Sequence, residues 1–416
     1  MIINRPHYLR QLIDGRGNGL IKVVTGIRRC GKSFLLSRIF RDYLLREGIK
    51  PSHIIHIPLD DRRNYKLRNP DKFLEYVDSL TTESGFYYLL VDEVQMMDDF
   101  VSVLNSFLYS SNIDVYVTGS NSKLLSTDIA TEFRGRSDEI IMHPLSFKEF
   151  FSFIEADFDT AWREYYTFGG LPQVVLINDE QKKKSYLENL MFTVFFKDII
   201  ERNRIRFPHE LEELTKIIAS SIGSPTNPLK LSNTFKSEKK LDISSHTLAK
   251  YLEYICNSFL AEEAIRYNIK GKKYINTLKK YYFTDTGLRN GLLKFRQTEE
   301  THLMENIIYN ELTIQGFSVD VGMVEIREKN KEGQIVRKQL EVDFVANKGD
   351  IRYYIQSALR MDSESKKDQE MSSFKKIDDA FRKIIVVRDN IKSYNDENGF
   401  FIVGLRDFLL DLNKLL

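Results

Sequence analysis

The 416-residue sequence is poor in several things, and each shortage removes a class of protein. It has two cysteines, Cys30 and Cys256, too few for a disulfide framework or a structural zinc site. No stretch approaches the eighteen or so apolar residues that a membrane helix needs. The first residues lack the apolar core of a secretory signal. A cytoplasmic chain with no membrane association is therefore expected. Charge of one sign is missing too: 61 basic residues face 59 acidic ones, for a formal net charge of +2. A globally basic nucleic-acid binder is excluded, so any basic surface has to be local. There are no internal repeats and no low-complexity tract.

What is present is an ordinary globular composition, 42% hydrophobic and 29% charged. The chain is too long for one core, and two or three domains are expected. Over the first 150 residues, short β-rich runs (21–25, 53–58, 87–91, 114–118, 139–143) alternate with helical patterns (33–47, 71–80, 101–109). That alternation predicts a parallel sheet covered by helices. After Pro144 the pattern turns helical through 223 and breaks at Gly169-Gly170-Leu171-Pro172. A capped helix is predicted over 245–257, a hairpin near Gly271, and a helix over 303–316. Strands over 319–327, 340–347, 351–357 and 383–387 follow, with a helix over 372–381.

The strongest chemical signal is Gly26-Ile27-Arg28-Arg29-Cys30-Gly31-Lys32-Ser33, which fits GxxxxGK[ST]. Glycines let the main chain curl so that successive N–H groups face phosphate oxygens. The helix that follows aims its positive dipole end at the same anion. Lys32 is expected to reach the β- and γ-phosphates, and the Ser33 hydroxyl to ligate Mg²⁺. Residues 26–33, with Phe34 beside them, form the expected ATP site. Cys30 is read as a tolerated variable position.

A second motif, Tyr87-Tyr88-Leu89-Leu90-Val91-Asp92-Glu93, is an apolar strand ending in two carboxylates. Asp92 is expected to hold Mg²⁺ beside Ser33, and Glu93 to polarise the attacking water. A strand that merely ends in a surface turn is the competing reading. The run 115–121 delivers Ser120 and Asn121 to the same sheet edge, where either could bond the γ-phosphate or the water. Arg134 and Arg136 are candidates for an arginine finger acting on a neighbouring subunit, which requires a homo-oligomer.

From Arg266 to Tyr282 there are six basic residues and no acidic one: Arg266, Lys270, Lys272, Lys273, Lys279 and Lys280. Tyr267, Tyr274, Tyr281 and Tyr282 interleave with them. Such a hairpin can grip a phosphate backbone without reading sequence, so DNA contact is expected there. A solvated hairpin with its tyrosines in the core is the alternative.

The order of motifs resembles a family of prokaryotic AAA+-type ATPases with an AAA_14-like P-loop domain and a C-terminal domain often labelled DUF4143. The marks are Thr118-Gly119-Ser120-Asn121, Phe133-Arg134-Gly135-Arg136, Pro144-Leu145-Ser146-Phe147, Phe168-Gly169-Gly170-Leu171-Pro172, Phe196-Lys197-Asp198-Ile199, Phe283-Thr284-Asp285-Thr286-Gly287-Leu288 and Glu341-Val342-Asp343-Phe344. The resemblance covers nearly the whole chain. It implies an α/β fold: a P-loop ATPase core over 1–145, a helical lid over 146–204, a winged helix over 205–295, and a degenerate PD-(D/E)xK nuclease-like domain over 296–416. It also implies Asn121 or Ser120 as sensor and Arg136, rather than Arg134, as finger. Gln173 follows the Gly-Gly-Leu-Pro turn, so no second sensor arginine is assigned. In the nuclease pattern Glu305 and Asp343 are the metal-binding acids, but the remaining slot reads Gln356-Ser357-Ala358, without its lysine, and Lys366 lies too far along.

The function expected from all this is Mg²⁺-dependent ATP binding and hydrolysis, coupled to DNA or a partner. The alternatives are a nucleotide-gated assembly module with slow turnover, and a metal-dependent nuclease.

Overall fold

The computed structural model describes residues 2–119, 135–238, 242–329 and 334–415. The chain divides into two compact units. One is Met1–Pro144 with the short stretch Asn257–Phe259; the other is Leu145–Cys256 with Leu260–Leu416.

The first unit is built on five strands: β1 (Ile21–Thr25), β2 (Ile54–Pro58), β3 (Tyr87–Asp92), β4 (Ile113–Thr118) and β5 (Ser137–Ile141). They lie in the order β2-β3-β4-β1-β5. Every pairing is parallel. β1 and β3 are buried along their whole length, as strands covered on both faces must be. One face carries a core of Ile21, Val23, Ile55, Ile57, Leu89, Val91, Val115 and Val117 from the sheet. Phe73 and Val77 from helix Pro70–Leu80, and Val101, Leu104 and Phe107 from helix Phe100–Phe107, close over it. The order reverses at β1, which lies between β4 and β5. In open parallel sheets the crevice beyond such a strand's C-terminal end is where ligands bind.

The second unit starts with helices Phe147–Phe153, Phe158–Phe168, Pro172–Val175 and a long run made of Glu180–Leu190, Met191–Phe196 and Lys197–Asn203. Two of the sequence marks meet here. The Asp285 carboxylate accepts the Gly170 N–H at 2.8 Å and the Leu288 N–H at 2.9 Å, so it caps one helix and pins the Gly169-Gly170 turn. A Cβ on Gly287 would lie 2.0 Å from the Phe168 carbonyl oxygen, which is why that position has no side chain.

Helices Pro208–Ser220, Pro228–Glu238 and Ser245–Asn257 come next, then the hairpin β6 (Ala261–Asn268) and β7 (Lys273–Phe283). Thr226, between the first two helices, bridges antiparallel to Lys279. The remaining strands are β8 (Ser318–Lys329), β9 (Ile335–Lys348), β10 (Ile351–Ala358), β11 (Arg382–Val387), β12 (Tyr394–Asn395) and β13 (Phe401–Gly404). All eight join one sheet in the order β12-β13-β11-β10-β9-β8-β6-β7. β6 pairs parallel with β8 through Arg266↔Val321, Tyr267↔Gly322 and Asn268↔Met323. The expected winged-helix and nuclease-like segments therefore share a single sheet. Helix Glu300–Ile314 docks on it through Asn306, which bonds both the N–H and the carbonyl of Phe283 at 2.8 and 2.7 Å.

One helix is displaced from its expected place. The stretch 372–381 is a loop with one tight turn, Phe374–Lys376, and the helix lies earlier, at Glu364–Met371. Met371, Phe374 and Ile377 are buried at helix-like spacing, which is the signal that misled. The real helix is polar, starts at a Ser363 cap and shows no apolar stripe.

Candidate nucleotide-binding site

β1 delivers its chain end directly into the glycine loop. Gly26 has φ 136°, and a Cβ there would sit 2.0 Å from the Met142 carbonyl oxygen. No other residue fits that approach. Arg29 has φ 69° and Gly31 φ 105°, so the loop curls through two left-handed positions before the helix begins. That helix runs without interruption through Lys32–Phe34, Leu35–Phe40 and Arg41–Arg46, its middle widened to π pitch. Its N-terminus points into the loop, the arrangement that favours an anion.

Lys32 is 5% exposed and folds back on its own loop, donating to the carbonyls of Gly26 at 2.9 Å and Ile27 at 3.0 Å. Ile27 and Cys30 are buried, while Arg29, Ser33 and Phe34 are exposed and Arg28 is half-buried. The Cys30 thiol is thus enclosed, and the residue bonds through its main chain, the N–H to the Ile27 carbonyl at 3.4 Å and the carbonyl from Arg5 at 3.0 Å.

Asp92 ends β3 and is buried. Burial pushes its pKa upward, against hydrogen bonds from the Thr118 and Ser33 hydroxyls that favour the charged form; the charges of Glu93 and Asp60 add to the upward push. Ser33 and Asp92, 59 residues apart in sequence, are therefore joined through a side-chain hydrogen bond. Glu93 follows in a left-handed conformation, φ 52°, which turns its side chain off the strand. Its N–H donates to the Thr118 hydroxyl at 3.0 Å, and Gln95 donates to its carboxylate. Thr118, the last residue of β4, thus holds both acids: its hydroxyl donates to Asp92 and accepts from the Glu93 main chain.

Not every expected site residue is brought here. Ser120, Asn121 and Arg134 lie outside the described residues. Arg136 immediately precedes β5, and its carbonyl accepts the Ile21 N–H at 2.9 Å. That is the opposite edge of the sheet from the glycine loop, so Arg136 cannot touch a nucleotide held by its own chain.

Three residues escaped sequence reading. Thr118 was the strand's end, but attention passed to the polar residues after it. Gln95 had no motif. Arg5, 3% exposed, donates to the carbonyls of Cys30 at 3.0 Å, His143 at 2.8 Å and Pro144 at 3.2 Å, tying the glycine loop to the chain beyond β5. Nothing in a single sequence marks such an arginine.

The hairpin forces a correction. Arg266 is 7% exposed, and its guanidinium reaches Gln339 at 3.4 Å. Lys280 is 2% exposed and paired with Glu305 and Glu341. Neither can contact DNA. Both were assigned by counting charges, but the strand's pleat turns them inward against β8, β9 and the helix Glu300–Ile314. Lys270, Lys272 and Lys273 are exposed; Lys279 is partly exposed and paired with Glu263 at 2.8 Å. Tyr267, Tyr281 and Tyr282 are buried, and only Tyr274 is open.

A parallel sheet with a glycine loop at its switch strand and paired acids one strand removed defines a P-loop domain of the AAA type. Residues 18–151 match the family model described as an AAA domain. The chain is 32% identical over 415 residues to an uncharacterized protein of Haemophilus influenzae, covering 98% of this chain and 99% of that one, and it belongs to that protein's family. An uncharacterized protein of Methanocaldococcus jannaschii, MJ1544, is 29% identical over 405 residues, 93% of this chain and 85% of its own. Residues 159–299 match a domain of unknown function, DUF8612, where the expected label was DUF4143 and its expected place was 296–416. Among solved structures, the Cdc6 protein of Pyrobaculum aerophilum aligns at 13% identity and a TM-score of 0.31, over 74% of this chain and 96% of that one, a likeness too weak to carry any argument. Among the described residues, no helix is long and apolar enough to cross a membrane.

Proposed function

We propose that this protein is a Mg²⁺-dependent ATPase whose nucleotide state governs binding of DNA or a partner by its second unit. The observation that carries the reading is the contact of Ser33 with Asp92, held in place by Thr118, at the mouth of a loop curled by Gly26 and Gly31. Ser33 and Asp92 present hard oxygen donors, the set that suits Mg²⁺. They are the residues that would hold the ion, and it would supply neutralising charge on the phosphates. Lys32 exchanges its two carbonyl partners for phosphate oxygens. The loop N–H groups and helix dipole hold the same anion. Glu93 accepts a proton from the attacking water, its carboxylate first released from Gln95. Thr118 positions Asp92 and Glu93 rather than meeting the substrate. Arg136 acts on the nucleotide of a neighbouring copy, since its own lies beyond reach.

DNA contact, in this reading, falls to the exposed Lys270, Lys272 and Lys273. The order of three helices, a bridge at Thr226 and a hairpin supports a winged helix. The test is steady-state ATP turnover with duplex DNA, single-stranded DNA and no polymer. Stimulation of several-fold, lost when all three lysines become glutamate, is expected. Unaltered turnover with DNA would point instead to a nucleotide-gated protein-binding module.

A further inference from the structure

The resemblance to PD-(D/E)xK nucleases implies that Glu305 and Asp343 ligate a divalent cation and that a lysine beside them is missing from the sequence slot. In space a lysine is there. Lys280 comes from β7, sixty-three residues before Asp343 in the chain, and its ammonium lies 3.0 Å from Glu305 Oε1 and 2.7 Å from Glu341 Oε1. It is already paired with one of the two expected ligands, Glu305, and with the neighbouring Glu341. The Tyr282 hydroxyl donates to the same Glu305 oxygen at 2.7 Å. Asp343 accepts the Ser357 N–H at 2.8 Å through Oδ2. Gln356, in the slot of a second acid, accepts the Asp343 N–H at 3.4 Å and donates to Glu370 at 3.3 Å. Gly223 closes over the group, its Cβ position 2.9 Å from Glu305.

These donors do not fit a metal. One oxygen of each expected ligand is already bonded, Glu305 Oε1 to Lys280 and Tyr282 and Asp343 Oδ2 to the Ser357 N–H, and the cationic Lys280 ammonium beside them repels a second cation. Among the described residues, no group of three or more His, Cys, Asp or Glu side chains is disposed to hold a metal ion.

We infer that Lys280 has taken the cation's place, turning a nuclease-like centre into an internal ion lock that fastens the β6–β7 hairpin to β9 and the helix Glu300–Ile314. Charges support the assignment. The Lys280 ammonium pairs with Glu305 at 3.0 Å and Glu341 at 2.7 Å while only 2% exposed. A buried acid group of this size needs a counter-charge, and the chain supplies one covalently rather than drawing it from solution. The second unit then binds or assembles and does not cut. This inference does not depend on the ATPase reading.

The test uses the full chain without nucleotide, with Asp92→Asn present throughout to silence the phosphate-loop site. Free Mn²⁺ is followed by electron paramagnetic resonance during titration, with and without Asp343→Asn. The same number of bound Mn²⁺ is expected in both, and supercoiled plasmid in Mn²⁺ or Mg²⁺ should be nicked no faster by one than the other. One Mn²⁺ per chain lost with Asp343→Asn, or nicking lost with it, overturns the inference. A second measurement needs no metal. Lys280→Met should lower the melting temperature by about 5–10 °C, because it strands buried carboxylates. Adding Glu305→Gln to Lys280→Met should recover part of that loss. An unshifted melt for Lys280→Met would show that no lock exists.

Discussion

Two of the buried lysines, Lys32 and Lys280, have their ammonium groups among oxygens of opposite kinds. Lys32 rests on two main-chain carbonyls, neutral acceptors at 2.9 and 3.0 Å. Lys280 rests on two carboxylates at 3.0 and 2.7 Å. A neutral hydrogen bond contributes only about 1 kcal/mol net, so in the proposed ATPase a triphosphate with several negative charges would displace the carbonyls from Lys32. Breaking a buried charge pair costs about 3–5 kcal/mol, so nothing ordinary displaces the acids from Lys280. On the proposed reading the first lysine is held ready for a ligand; the second has its ligands built into the fold. Chemical type alone does not separate a binding lysine from a structural one. The charge of what it touches does.

The sharpest way to break this comparison is to remove Lys32. Lys32→Ala should weaken ATP binding by about 100-fold, the loss of two or so charge-assisted bonds, measured by calorimetry. Affinity within a factor of three of the unaltered chain would mean that Lys32 is as structural as Lys280. Next, Glu93→Gln should leave ATP affinity within a few-fold and slow turnover by about 10²–10³, read in a phosphate-release assay; equal turnover removes Glu93 from the chemistry. Thr118→Val keeps the side chain's volume and deletes the hydroxyl that Asp92 and Glu93 share. Turnover about tenfold slower with affinity nearly unchanged is expected, as one or two lost hydrogen bonds imply. A fall in affinity alone would make Thr118 a binding residue.

The smallest effect concerns a buried acid with no ion-pair partner among the described residues. Glu311 accepts the Phe147 N–H at 2.6 Å and is 2% exposed. Burial raises its pKa to about 8, against the pull of that N–H and with a further push from Glu149. The folded form therefore holds a proton that the unfolded chain releases near its ordinary 4.5. The associated stability is full below about pH 4.5 and is lost as pH rises through about 8. Glu311→Gln, which keeps the acceptor but cannot ionise, should gain a few degrees of melting temperature relative to the unaltered chain at pH 8.5 and almost none at pH 5. An equal difference at both pH values would show that the acid is not protonated in the fold.

How much of this was legible beforehand divides along the same line. The five strands of the first unit, the glycine loop and the acids of β3 were readable because each is local: solid apolar runs, a fixed glycine spacing, and carboxylates at a strand end. β5 slipped two residues, from 139–143 to Ser137–Ile141, because an edge strand lacks the doubly buried pattern. The contact of Ser33 with Asp92 was inferable from the motifs. The role of Thr118 was not, since it depends on which strand lies beside β3. In the second unit the failures, the helix misplaced at 372–381 apart, are non-local. Lys280 looked like one more positive charge on a solvent-facing hairpin, and its acids lie on elements 25 and more residues away. The pairing of β6 with β8, which encloses Arg266, joins residues more than fifty positions apart and has no signature in composition. Asp285 and Gly170 were both marked as motifs, but only the fold showed that they are one feature.

The central claim is that the loop around Gly31, faced by Asp92 and Glu93, grasps a metal-bound triphosphate. It is tested most directly by titrating the full chain with ATP in Mg²⁺ in a calorimeter, beside the Lys32→Ala variant of equal foldedness. Saturable heat with about one site per chain, largely abolished in the variant, is the predicted result. Folded protein that takes up neither ATP nor GTP contradicts it.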